Sequence, residues 1–157
     1  LGIVDCAPRL FRQGSLIKKI LRRAPDRLSA YAVEWIKKHK GRRAEYAIVQ
    51  PKQFRSNLDY YFQCCAEVDV GCVVVIAIAY PDARMISKNP GVVASIKLYN
   101  QIYRELSKKY PFVCVVEPLN EAVSNSDLYG EDGYHLNKKA HEIIWRSIDP
   151  VMRVGKQ

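Results

Sequence analysis

The most specific chemistry in this chain sits in Glu131-Asp132-Gly133-Tyr134-His135-Leu136-Asn137. A carboxylate three residues ahead of a histidine can accept a hydrogen bond from one ring nitrogen and hold the tautomer. The other nitrogen is then left to take a proton from a nucleophile. Gly133 lets the turn between them be tight. The other two histidines have plainer readings. His39 lies in Lys-Lys-His-Lys and is solvated, and His141 lies one turn into a helix and is structural. No serine stands in a strand-turn-helix context, and the chain has no Gly-x-Ser-x-Gly elbow. The cysteines, Cys6, Cys64, Cys65, Cys72 and Cys114, are odd in number and lack zinc-ligand spacing. All five read as reduced, with Cys72 and Cys114 acting as small hydrophobes inside apolar runs.

The elements that must position this motif follow from periodicity. Leu1–Val4 reads as the end of a strand, followed by a loop through Pro8 and Gly14. Ser15 opens a helix with Leu16, Ile17, Ile20 and Leu21 on one face. Asp26 opens another with Leu28, Tyr31, Ala32, Trp35 and Ile36, closing near Gly41. Pro51 starts a third, with Phe54, Leu58, Tyr61, Phe62, Cys65 and Val68 as its stripe. Cys72–Ala79 is a continuous apolar run of the kind found in a strand buried on both faces. Tyr80–Lys88 reads as a loop. A helix beginning near Pro90 carries Val92, Val93, Ile96, Tyr99, Tyr103 and Leu106, and Phe112–Val116 is the next strand. A loop over Glu117–Tyr134 leads to a last helix capped by Asn137, which buries Ala140, Ile143, Ile144 and Ile148. Strands alternating with amphipathic helices predict an α/β fold, a three-layer α/β/α sandwich with a parallel sheet. Ligands bind at the carboxyl ends of such strands, here Asp5–Arg9, Tyr80–Lys88 and Glu117–His135.

The block Asp-Gly-x-His-Leu-Asn ahead of a C-terminal amphipathic helix resembles the last block of the SGNH/GDSL hydrolases, whose Asp-x-x-His supplies two members of a Ser-His-Asp triad. Lys139-Ala140-His141 is similar to the small residue and histidine often packed in that family's final helix. Gly2-Ile3-Val4-Asp5 partly matches its Gly-x-Asn-Asp block. The resemblance implies a flavodoxin-like SGNH hydrolase fold over residues 1–157, a single domain lacking its N-terminal strands. It implies His135 and Asp132 as catalytic residues, with Gly2, Asp5 and Arg9 in the oxyanion and substrate loop. The family's Gly-Asp-Ser nucleophile would lie upstream of Leu1, so this stretch alone is expected to be inactive. Val4 replaces the family's Asn, and loss of one oxyanion donor costs about 100- to 1000-fold in rate. No cofactor or metal is implied, and the substrate class is a small-molecule or glycan ester.

Composition sets the remaining bounds. The chain has 157 residues and 18.0 kDa, 48% hydrophobic and 26% charged, which suits one globular domain. Its longest apolar run, Val70–Tyr80, is too short to cross a membrane. The net charge of +9 is concentrated between Arg9 and Arg55, with fourteen basic residues against Asp26, Glu34 and Glu45. That basic half reads first as solvated helix faces, and without a reader motif a nucleic-acid surface ranks last. Reduced cysteines fit a cytoplasmic protein, while the start at Leu1 leaves no place to look for a signal peptide. The alternative to the esterase is a non-catalytic binding module on the same fold, for an acylated or anionic ligand.

Overall fold

A computed structural model of the chain describes residues 2–12, 14–40, 46–123 and 126–154, with residues 3, 4, 40 and 154 described by backbone alone. Two strands, β1 (Val73–Ile76) and β2 (Val113–Val116), pair in parallel from Val73 with Val113 to Ile76 with Val116. Around them lie α1 (Ile3–Cys6), α2 (Leu16–Leu21), α3 (Asp26–Lys40), α4 (Pro51–Glu67), α5 (Ala83–Lys88), α6 (Val92–Lys109), a 3₁₀ turn at Ser126–Leu128, and α7 (Lys138–Val154). The fold is mixed α/β with a small parallel sheet.

Parallel neighbours need a crossover, and α5 and α6 supply it. The predicted stripe of α6 is buried at Val92, Ile96, Tyr99, Tyr103 and Leu106. It meets Phe54 and Phe62 of α4, together with Val73, Val75, Val113 and Val115 from the sheet. Phe54 lies 5.1 Å from both Tyr99 and Tyr103, edge-on to the second. Each such side chain contributes roughly 1.5–3 kcal/mol by leaving water. A smaller cluster joins Leu119, Leu128, Tyr129 and Ala140, with Ile143 and Ile144 of α7 packed against it. Helix α7 contacts both strands.

Strand β1 is shorter than its apolar run because the sheet ends where a helix side chain takes over. Ala77 N–H still reaches Val116 O at 2.9 Å. One residue on, the Ile78 peptide is held by buried Asn100 of α6, whose Oδ1 accepts from Ile78 N–H at 2.8 Å and whose Nδ2 donates to Ile78 O at 2.9 Å.

Three expectations are corrected. The strand end expected at Leu1–Val4 is instead a helical turn over Ile3–Cys6, Leu1 lying outside the described residues. Asp5 N–H and Cys6 N–H bond Gly2 O at 3.1 and 3.4 Å, and Asp5 Oδ2 accepts from Gly2 N–H at 3.1 Å. This reciprocal capping satisfies donors locally that a strand would have to pair across a sheet. The loop expected over Tyr80–Lys88 contains α5, started by Asp82, whose carboxylate accepts from Arg84 N–H and Met85 N–H. Helices α2 and α3 form where the spacing puts them, but Leu16, Ile20, Leu28, Tyr31 and Trp35 are exposed rather than packed. The expected close of α3 near Gly41 lies outside the described residues.

Candidate functional site

The site is built on the loop between the 3₁₀ turn and α7. An isolated antiparallel bridge, Tyr129 with Leu136, closes that loop at its base. Gly130 N–H donates to His135 O at 2.8 Å, and Asn137 N–H to Leu128 O at 3.1 Å. Asn137 caps α7 as expected, its Oδ1 accepting from Ala140 N–H at 3.2 Å. Gly133 turns the loop with φ +79°, which favours glycine.

Within this frame Asp132 and His135 meet. Asp132 Oδ1 accepts from the N–H groups of Tyr134 and His135 at 3.1 and 3.0 Å, and Asp132 Oδ2 takes the hydrogen bond of His135 Nδ1. A carboxylate only accepts, so Nδ1 carries the proton and Nε2 is left as the base. The His135 N–H, the imidazole and the Tyr134 N–H hold the Asp132 carboxyl well below the usual range for an aspartate. The imidazole is 73% exposed and its ring centre lies 4.4 Å from that of Tyr134. The geometry is that of an oriented general base facing solvent.

Tyr134 also divides two cavities. One, of about 380 Å³, is walled by Arg9, Phe11, Lys18, Met85 and Asn89. The other, of about 340 Å³, is apolar and lies beside Ile76–Ala79, Leu136 and Ile144, with Gly2 and His141 in its wall. Two of the expected loop residues line different cavities that share Tyr134. Arg9 faces the first cavity, Gly2 the second, and Asp5 is tied to Gly2. No described contact joins any of them to Asp132 or His135. Val4, where the resemblance would place an Asn, is described by backbone alone. His39 Nδ1 donates to Trp35 O at 2.8 Å, and the imidazole stacks on Trp35, far from this loop in sequence.

Among the described residues no serine hydroxyl bonds His135. Those of Ser29, Ser87, Ser95, Ser107 and Ser147 donate to backbone carbonyls. No disulfide joins any two of the five cysteines. Among the described residues no group of three His, Cys, Asp or Glu side chains is placed to hold a metal, and no helix is long and apolar enough to cross a membrane.

Two residues escaped the sequence reading. Asp82 and Arg84, in Tyr-Pro-Asp-Ala-Arg after β1, lie against the dyad loop: a Cβ on Gly133 would collide with Asp82 Oδ1. Their signal was an N-cap aspartate after Pro81, followed by residues able to continue a helix.

The class these features define is a mixed α/β protein with an Asp–His pair on the loop before its last helix. Against known proteins, no family model, no curated protein and no solved structure matches the chain.

Proposed function

We propose that this chain belongs to an SGNH/GDSL-type ester hydrolase. The observation that carries the reading is the Asp132–His135 pair, with Nδ1 bonded to carboxylate and the opposite ring edge open. Helices α6 and α7, both against the strands, are consistent with a three-layer α/β/α arrangement.

In this mechanism His135 Nε2 removes the proton of a serine hydroxyl as it attacks the ester carbonyl. Asp132 stabilises the imidazolium that forms. His135 then returns the proton to the leaving alcohol, and water releases the acyl group by the same route. The reaction requires a serine at the open edge of His135, which none of the described serines provides. The substrate is a small-molecule or glycan ester, and five cysteines without a disulfide favour a reducing compartment.

The test is p-nitrophenyl acetate turnover by the natural protein that contains this chain, with and without a serine-directed fluorophosphonate. Inhibitor-sensitive turnover that falls about 10⁴-fold in His135→Ala is expected. Turnover indifferent to both would remove the reading. A second reading, a binding module for an acylated or anionic ligand, is favoured by the absence of a described hydroxyl at His135 and by Val4. It predicts binding without turnover.

A further inference from the structure

We propose that Arg84, held by Asp82, positions the Asp132–His135 pair. The proposal rests on the reading of that pair as an oriented general base. It does not require that the substrate be an ester.

The polypeptide leaves β1 and turns at Pro81, bringing Asp82 under the dyad loop. Asp82 is 5% exposed. One of its carboxylate oxygens, Oδ1, accepts from Arg84 N–H at 2.9 Å and Met85 N–H at 3.3 Å, which starts α5. The other, Oδ2, accepts from Arg84 Nε at 2.5 Å and so fixes the plane of the guanidinium. Nη2 also lies 2.5 Å from Oδ2, and both terminal nitrogens reach across to the loop. Nη1 donates to Glu131 O at 3.1 Å and Nη2 to Gly130 O at 2.9 Å. On the far side of Asp132, Gly133 O accepts from Asp82 N–H at 3.1 Å.

The backbone on both sides of Asp132 is thus fastened to one three-residue segment. The fit leaves no room for a side chain at Gly133. Fastening the peptides before and after Asp132 fixes where its carboxylate stands, and the carboxylate in turn fixes the imidazole. Arg84 makes no hydrogen bond to His135, so it acts through the loop. A planar fork is needed, because one group must meet a carboxylate and two carbonyls at once. Lysine can pair with Asp82 but cannot span all three.

The readout is the tautomer of His135, followed by ¹⁵N NMR of its imidazole and assigned with His135→Ala. The parent protein is expected to populate the Nδ1–H form. In Arg84→Met and in Arg84→Lys the ratio of Nδ1–H to Nε2–H should fall by up to about tenfold, the effect of loosening one charge-assisted hydrogen bond. Asp82→Asn, which keeps a capping oxygen and loses the charge, should fall between these and the parent. A ratio unchanged in both Arg84 variants overturns the proposal, as does a parent with no preference dependent on Asp132. Ester turnover is scored separately. A tautomer ratio that follows Arg84 in a protein that hydrolyses no ester supports the positioning role and sinks only the esterase reading. An active enzyme whose ratio ignores Arg84 does the reverse.

Discussion

Helices α2 and α3 and the segment from β1 to α7 use the same hydrophobic periodicity to different ends. In α6 the stripe at Val92, Ile96, Tyr99, Tyr103 and Leu106 is buried and meets aromatic rings of α4. In α2 no residue is buried, and Leu16, Ile17 and Ile20 are 73%, 49% and 66% exposed. An apolar face at helical spacing therefore specifies a helix without specifying what covers it. Burial in β1–α7 comes from the crossover, which forces α6 against its own sheet. The basic helices have no such topological partner among the described residues. The polar interactions divide the same way. The ion pair within α3 joins the neighbours Lys37 and Glu34, whereas Arg104–Glu117 and Lys109–Asp59 reach across the fold, although Arg153–Asp149 of α7 is again a pair of neighbours.

The largest contrast is expected in catalysis. In the natural protein that contains this chain, Asp132→Asn should lower kcat by about 10⁴-fold, because the histidine then adopts the wrong tautomer. His39→Ala in α3 should leave kcat unchanged, and His141→Ala should alter it little. Steady-state kinetics of the three variants decides. A loss in His39→Ala like that in Asp132→Asn would mean that the two regions are not functionally distinct.

Stability should divide along the same line. Ile96 is fully buried between helix and sheet, so Ile96→Ala should cost about 2–5 kcal/mol in urea unfolding. Leu28→Ala removes a similar side chain from a surface where it is 65% exposed, and should stay within about 0.5 kcal/mol. Equal losses would show that the α3 stripe is covered in solution.

Acid should open the β1–α7 side first. Asp82 is penalised by burial, yet the Arg84 guanidinium and the Met85 N–H more than offset this and hold its carboxyl low. Arg104 holds Glu117 low in the same way, and the His135 and Tyr134 amides hold Asp132 low. Groups depressed in the folded state contribute their stability above the unfolded carboxylate pKa of about 4. They lose it as pH falls through their lower folded values. The protection of the amides of residues 130–136 against hydrogen exchange, taken relative to the intrinsic rate at each pH, should therefore fall below about pH 4, while that of α3 changes less. Protection that falls equally in both would contradict this partition.

The legible parts of the sequence were those that local pattern specifies. Val73–Ile76 and Val113–Val116 pair in parallel as their continuous β-branched runs suggest, but the expected burial on both faces is only partial, with Val113 buried and Ile76 43% exposed. Asp132 and His135 were legible because a carboxylate, a flexible glycine and a histidine lie within one turn, where no long-range contact is needed to bring them together. Illegible features depended on distant partners. Nothing local says that Ile78 will be held by Asn100, although a polar residue next to the stripe of α6 marks the place. Nothing near Arg84 says that its fork will reach the carbonyls of Gly130 and Glu131. The N-terminal residues misled for the opposite reason: Gly-Ile-Val reads as a strand, but Asp5 reaches back to the Gly2 amide and closes a helical turn.

The smallest effect on stability should accompany a visible change in association. Leu16 and Ile20 of α2 and Leu28 of α3 are each about two-thirds or more exposed, in a stretch rich in lysine and arginine. Exposed apolar surface of this kind favours contact with other molecules. Replacing all three with serine removes apolar area from water without touching a buried contact. The urea midpoint should then move by no more than about 0.5 kcal/mol equivalent per site. Sedimentation velocity should show the parent chain associating as its concentration rises and the triple variant associating less. Salt separates the contributions: charge repulsion among the basic side chains is screened above about 0.1 M, where the Debye length is near 10 Å. Association of the parent should therefore strengthen with salt, and that of the variant should respond less. A parent that stays monomeric at high salt would show that these side chains are covered by this chain itself, and that the contrast between α2–α3 and β1–α7 is smaller than their exposures imply.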